Sequence, residues 1–344
     1  MAITLNDGRT LGGDAPPYVV AEFNTSHFGD VELASQMIAT CAEIGVDCVK
    51  FQSWSVESLY SETFYSANKM AKRFVKKYAL PEDALKHLAG VCRDHGIGFM
   101  STPYSVDEAR FLLDHCNTPA LKIASMEINN LPYLKALGGM ETALILSTGM
   151  ADLGEIETAV RTLEEAGARD LCVLHCVSQY PIETHQAHVR NVRLLQDRFE
   201  HLPIGYSDHT LDLDAPVAAT ALGACLIERH FTLDRSRIGM DNQMATEPEA
   251  FAELIRRCRA TYDALGSYER VVSQEELTQR GNMRRSVVYG RDMAAGTVLQ
   301  EADLIFKRPG TGIAPTDVAQ LLGKTLLQNV SGDHLASMDH VRAS

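Results

Sequence analysis

The chain predicts an α/β architecture: a (β/α)8 TIM barrel followed by a small β-rich module. Three observations carry this expectation. Eight short apolar runs alternate with amphipathic stretches up to about residue 265. Nearly every one of those runs ends in a polar or charged side chain. From Ser286 onward the alternation stops and the text becomes small and turn-rich.

Taken in order, the predicted strands are Tyr18–Glu22, Asp47–Gln52, Gly98–Ser101, Ala120–Ile123, Ala143–Ser147, Leu171–His175, Pro203–Ser207 and Cys225–His230. Val19-Val20 and Leu144-Ile145-Leu146 are continuous apolar cores, as parallel strands covered on both faces require. Between them, stretches such as Asp30–Ile44, Pro81–His95, Val106–His115, Leu153–Ala166 and Ala215–Leu222 repeat apolar residues at helical spacing. Eight βα units in about 260 residues match the arithmetic of a closed barrel. An open doubly wound sheet would want a glycine-rich phosphate loop after its first strand. Glu22-Phe23-Asn24-Thr25-Ser26-His27-Phe28-Gly29 is no such loop.

Residues 53–80 exceed a routine βα loop and carry Trp54, tyrosines, phenylalanines and Lys69, Lys72, Lys76 and Lys77. A segment this long at the top of a barrel is expected to be a lid or substrate wall. The division expected is a barrel over 1–265, a linker with a short helix over 266–285 and the small module over 286–344. That module is too small to be sturdy without docking on something.

Composition narrows the function classes. Apolar content of 45% with 22% charged residues is ordinary for a soluble globular protein. A net charge of -13 argues against nucleic-acid or anionic-membrane partners. The eight scattered cysteines form no CxxC pair and read as reduced, buried small hydrophobes of a cytoplasmic protein. No apolar run nears the roughly 18 residues of a membrane span, and no signal peptide is visible.

In a barrel the catalytic groups sit at the C-terminal strand ends, so all eight polar ends converge on one mouth. Lys50 and Lys122 are expected there as an anion cradle with Thr102, Ser125 and Ser207. Schiff-base chemistry is the competing use of such a lysine. His209 and His230 end neighbouring strands, each beside an acid (Asp208, Glu228) that could orient it, and divalent-metal ligation leads over general acid/base work. Manganese, magnesium or zinc suits nitrogen and oxygen ligands without a thiolate. His175 reads as packed beneath the site. Glu127 is either a general base or an acid at a helix start. Glu22, ending an apolar strand, needs a partner, and Lys50 is well placed.

These residues resemble the sialic acid synthase family in ordered motifs. They are Ala21-Glu22 with His27 and Gly29, Val49-Lys50-Phe51-Gln52, Ser101-Thr102-Pro103 and Leu121-Lys122-Ile123-Ala124-Ser125 with Glu127. Further along come Leu146-Ser147-Thr148-Gly149-Met150, Leu174-His175-Cys176 with Tyr180-Pro181, Ser207-Asp208-His209-Thr210 and Glu228-Arg229-His230-Phe231. Lys307-Arg308-Pro309-Gly310 with Gly312 resembles that family's antifreeze-like (SAF) domain.

The resemblance implies condensation of phosphoenolpyruvate with an N-acyl-mannosamine-type aldehyde, giving a nonulosonic acid and phosphate. By position His209 and His230 would hold Mn2+ or Mg2+. Lys50, Thr102, Lys122, Ser125 and Ser207 would bind phosphoenolpyruvate. Gln52, Tyr180 and Asp241 would contact the sugar, a 2-acetamido aldose, and Ser178 would join them. Glu127 is the candidate base. The SAF domain would reach across a domain-swapped homodimer, bringing Arg308 to the partner's site. The chain departs from the family's common text at Ser26-His27, at Ser178, and at Met240-Asp241-Asn242 with Ala245-Thr246-Glu247-Pro248, positions that would read sugar substituents. A Schiff-base aldolase or lyase, a legionaminic- or pseudaminic-type synthase, and a non-catalytic sugar binder remain the alternatives.

Overall fold

Pairing of the last predicted strand with the first decides the architecture. The structure, a computed structural model, describes residues 1–342. Its central strands are β3 (Tyr18–Glu22), β4 (Cys48–Ser53), β5 (Gly98–Pro103), β6 (Leu121–Ile123), β7 (Leu144–Ser147), β8 (Leu171–Cys176), β9 (Ile204–Asp208) and β10 (Leu226–His230). They run parallel in chain order, and β10 pairs back onto β3 from Leu226↔Tyr18 to His230↔Glu22, closing the barrel.

The period-2 alternation of strands splits each one between two layers. Val19, Ala21, Val49, Leu121, Leu144 and Val173 face outward, into a core shared with the surrounding helices. Tyr18, Val20, Met100, Ile145, Leu174 and Leu226 face inward and fill the lower barrel. Continuing that inward row one step along each strand reaches Glu22, Lys50, Thr102, Lys122, Ser147, Ser207 and Glu228. The apolar floor and the polar mouth are thus successive layers of one interior.

Two three-residue strands precede the barrel: β1 (Ala2–Thr4) and β2 (Thr10–Gly12) form an antiparallel hairpin. Strands so short carry too little periodicity to be read from sequence. Ile3, Leu5 and Leu11 belong to the same apolar cluster as the inward barrel residues, so the hairpin plugs the barrel floor.

The covering helices begin at polar caps. Asp30 accepts from Glu32 and Leu33 N–H at the start of α1 (Val31–Glu43). The long segment after β4 is not loop but three short helices, α2 (Val56–Leu59), α3 (Glu62–Ala67) and α4 (Lys69–Tyr78). Ser55, Ser61 and Asn68 each cap one of them by accepting from its first turn. Then come α5 (Glu82–Asp94), α6 (Val106–His115), α7 (Leu131–Gly138), α8 (Leu153–Ala166), α9 (Asn191–Arg198), α10 (Asp214–Ala221) and α11 (Pro248–Leu265). No helix among the described residues is long and apolar enough to cross a membrane.

The chain divides into two compact units, Met1–Gly266 and Ser267–Ser344. In the second, α12 (Gln274–Met283) lies within the stretch expected to be a linker. It is followed by β11 (Ser286–Tyr289), antiparallel to β12 (Leu304–Lys307). Val287, Tyr289, Met293, Leu299 and Leu321 form a small core of its own.

Candidate active site

A cavity of about 550 Å³ opens at the C-terminal end of the barrel. At its floor four buried ions alternate in sign. Lys50 Nζ pairs with Glu22 and lies 3.7 Å from Glu228 Oε2. Lys122 Nζ lies 3.6 Å from Glu228 Oε1 and donates to Ser147 Oγ at 2.6 Å. Ser207 Oγ donates to Glu228 Oε1 at 3.0 Å, and Lys50 Nζ reaches Thr102 Oγ1 at 3.4 Å. Both lysines are therefore held by carboxylates and hydroxyls, the groups an entering anion would displace or share.

The two carboxyls respond to this cluster in opposite directions. Burial pushes Glu228 up, but the Lys122 and Lys50 ammoniums and the Ser207 hydroxyl outweigh it and hold the carboxyl at about 2. Burial dominates at Glu22, raising it despite Lys50, and the charge of Glu228 raises it further. Lys122 is lowered, because burial outweighs its attraction to Glu228. Burial also lowers Lys50, but Glu22 and Glu228 more than reverse it.

On the neighbouring wall the His209 and His230 rings stand 5.5 Å apart between centroids. Burial depresses both imidazoles, and each also feels a positive neighbour, so both are neutral near pH 7. His209 Nδ1 faces the Val177 carbonyl at 2.6 Å, which fixes the hydrogen on Nδ1 and leaves a lone pair on Nε2. His230 Nδ1 is buried with no partner at all. Two neutral imidazoles, one with an unused ring nitrogen, fit a divalent cation bound by few protein ligands. Among the described residues no group of three His, Cys, Asp or Glu side chains gathers as a metal cluster.

Most of the residues expected from sequence line this one cavity: Gln52, Ser125, Ser178, Tyr180 and Asp241 as well as those above. Tyr180 packs its ring 4.2 Å from that of His209. Gln52 is oriented on both sides: Tyr104 OH donates to its Oε1 at 2.7 Å, and its Nε2 donates to Glu22 Oε1 at 3.3 Å. Asn24 donates to Asp241, whose carboxyl rises to about 6 through burial and then the charge of Glu22.

Other residues stand elsewhere. Glu127 is not part of the lining; it sits on the turn after β6 and accepts from Asn130 Nδ2 at 2.8 Å. Arg308 belongs to the second unit, exposed, with Nη1 3.7 Å from Met283 Sδ. Asp208 does not orient the His209 ring by a hydrogen bond of its own. Alternation turns it outward, where it is buried against Arg229, Thr210 and Tyr206 OH. Glu228 faces the lysines and Ser207 rather than the orphaned ring nitrogen of His230. His175 also faces outward, stacked on Tyr206 with Nε2 2.8 Å from the Ala187 carbonyl. His27 is buried beside Phe51, and its Nδ1 accepts from Gly29 N–H.

Comparison with known proteins gives the family. The NeuB family model matches residues 37–270, and the SAF domain model matches residues 284–342. The chain belongs to the NeuB family. N,N'-diacetyllegionaminic acid synthase of Legionella pneumophila is 34% identical over 352 residues, which cover 98% of this chain and 98% of that protein. N-acetylneuraminate-9-phosphate synthase of Mus musculus is 31% identical over 354 residues, covering 100% and 98%. A crystal structure of N-acetylneuraminic acid (sialic acid) synthetase from Leptospira borgpetersenii, in complex with citrate, matches with a TM-score of 0.75 at 32% identity. It covers 81% of this chain and 95% of that one.

In this NeuB-family chain, sequence reasoning overlooked Tyr104 and Asn24, both in the lining. A signal for Tyr104 existed: it stands two residues after Thr102, on the same side of extended chain. Asn24 adopts a positive φ of 38° in a turn that no pattern announced. The unusual small residue is Gly149. A Cβ there would meet Ser178 Oγ, lie 2.9 Å from Ser125 Oγ and 3.0 Å from Cys176 Sγ, so its absence lets these side chains close on the backbone, where Gly149 N–H donates to Ser125 Oγ at 3.0 Å.

Proposed function

We propose that the protein condenses phosphoenolpyruvate with an N-acyl-mannosamine-type aldehyde, releasing phosphate and a nonulosonic acid. The observation that carries this reading is the convergence of two buried lysines and two neutral histidines on one cavity. Relatives named as legionaminic acid and N-acetylneuraminate-9-phosphate synthases support it.

Lys50 and Lys122 bind the phosphate and carboxylate of phosphoenolpyruvate, with Thr102, Ser125, Ser147 and Ser207 supplying hydroxyl donors. Both ammoniums are buried, so an anion that reaches them is held more tightly than at a wet surface. Gln52, Ser178, Tyr180 and Asp241 take the sugar. Gln52 arrives with its amide already fixed by Tyr104 and Glu22, which lowers the ordering cost of binding. His209 and His230 would hold Mn2+ or Mg2+, which when bound supplies Lewis acidity toward the aldehyde oxygen.

The bond between C3 of phosphoenolpyruvate and the aldehyde carbon forms as the aldehyde oxygen gains a proton. Water then adds at C2, and the C2–O bond to phosphate breaks. Glu22 is the base for that water: its raised carboxyl stands beside Lys50, whereas Glu228 stays ionised as a fixed counter-charge. Glu127, outside the lining, has no such contact.

We further propose a cytoplasmic homodimer in which the SAF module of one subunit brings Arg308 to the other's site. Eight buried free thiols suit a reducing compartment.

The test is phosphate release from phosphoenolpyruvate and 2-acetamido aldoses with Mn2+. Activity that EDTA abolishes, and that His209→Ala and His230→Ala lack, is expected. Robust turnover in metal-free buffer would defeat the metal assignment. The lowered Lys122 favours one second reading, a Schiff-base lyase. Borohydride trapping of a keto acid on Lys122 would establish that chemistry in place of condensation.

A further inference from the structure

Arg229 and Asp208 stand opposite each other in the register of β10 and β9, and each immediately precedes a histidine of the candidate metal site. Side chains alternate along extended chain, so these two ions point away from the cavity that His230 and His209 line. The guanidinium pairs with the carboxylate, and the two side chains are 3% and 0% exposed.

The bonds made by this pair end on the backbone around the histidines. Asp208 Oδ1 accepts from Thr210 N–H at 3.0 Å and from Thr210 Oγ1 at 2.9 Å. The first of these closes an Asx turn whose central residue is His209. Tyr206 OH donates to the same oxygen at 3.0 Å, so the carboxylate ties the chain before His209 to the chain after it. On the other strand, Arg229 Nε donates to Thr246 Oγ1 at 2.6 Å. Thr246 N–H in turn donates to the His230 carbonyl at 2.8 Å, and the Thr246 carbonyl accepts from Thr232 N–H at 3.1 Å. One ion pair thereby joins the two backbone segments that carry the imidazoles. His230 needs such support, because its buried Nδ1 has no partner to anchor the ring.

A buried ion pair is a poor route to stability, since well-packed apolar side chains fill the same space without desolvating charge. What the charges add is direction. We infer that Asp208 and Arg229 are a positioning pair for the cation that His209 and His230 would hold. From behind the barrel wall they fix the separation and aim of the two imidazoles, acting through backbone rather than through the rings. Two ligands define a site only if their spacing is set before the cation arrives. The inference rests on the metal assignment proposed above.

Mn2+ binding to the full-length protein, without substrates, is followed by electron paramagnetic resonance of the free ion, beside thermal melting. Asp208→Asn keeps an acceptor for Thr210 but removes the charge facing Arg229, and its Kd for Mn2+ is expected to rise about tenfold or more. Thr246→Val removes the acceptor of Arg229 Nε, and a rise of about threefold is expected. Leu163→Ala, a truncation of a fully buried side chain in α8, is the control for stability alone. It should lower the melting temperature and leave the Mn2+ Kd within about twofold of the natural value. Asp208→Asn that binds Mn2+ within about twofold of the natural chain, or that loses no more affinity than Leu163→Ala, overturns the inference and leaves the metal assignment standing. If Asp208→Asn does not fold, Thr246→Val decides by the same criterion. A natural chain that binds no Mn2+ overturns the metal assignment and this inference with it.

Discussion

Glu22 and Glu228 flank the same ammonium, yet their carboxyls move in opposite directions. Glu228 lies against both lysines and a hydroxyl, which outweigh its burial, while at Glu22 burial outweighs Lys50 and Lys122 and the charge of Glu228 adds to it. The neighbourhood, not the residue type, sends one carboxyl up and the other down, which is why the proposed reaction uses Glu22 as its base. Replacing Lys122 by Met should lower phosphate release on the order of 100-fold or more, because the charge lost is one that the proposed reaction uses to hold phosphate or carboxylate. Single-turnover assays check this, and a loss below about fivefold would remove Lys122 from the anion site.

Asp241 gives a pH prediction at the same scale. Its carboxyl is raised from 3.8 to about 6, so between those values the folded chain keeps a proton that the unfolded chain has released. The stability this protonation contributes is complete below pH 3.8 and is lost as pH rises through about 6. Asp241→Asn keeps an acceptor for Asn24 but removes the titration. Its melting temperature relative to the natural chain should therefore climb from pH 4 to 6.5; a difference that stays flat across that range would refute the assignment.

At the scale of elements, the segment after β4 matters most for the mouth. Gly29, at φ 76°, packs so tightly on α4 that a Cβ would strike the Lys77 carbonyl. Both the left-handed backbone and the contact oppose any side chain. Gly29→Ala should cost about 2 kcal/mol of stability and raise KM for the sugar, since α4 must shift away from the cavity. Denaturant unfolding with steady-state kinetics tests both. Unchanged stability would show that α4 is not braced there. Barrel strands depend on the same economy of space: a Cβ on Gly205 would lie 2.6 Å from Leu174 Cδ2 and 2.8 Å from the Leu226 carbonyl.

For the whole molecule, the proposed dimer makes a prediction that no single subunit can. Arg308→Ala and His230→Ala should each be nearly inactive, because each empties both sites of one essential residue. Mixed and reassembled, half of the dimers would carry one variant of each kind. One site in such a dimer keeps both residues, so about a quarter of natural activity should return. No recovery on mixing, with exchange verified by mass, would mean that Arg308 does not act across subunits.

Much of this protein was legible from local text. Parallel strands announce themselves as apolar runs, and their last residues named Glu22, Lys50, Lys122, Ser207, His209, Glu228 and His230 before any geometry was known. Those residues are local in pattern because every strand ends at the same rim. Partner choice was not local. That Glu228 serves two lysines, that Asp208 turns to Arg229, that Glu127 leaves the lining, and that Tyr104 fixes Gln52 all depend on which strands close beside which. The alternating elements and the identity of the strand-end groups could be read from the residues alone, because both follow from short-range periodicity. Which charges meet emerged with the folded barrel, since the fields and burial that set their chemistry come from residues far apart along the chain.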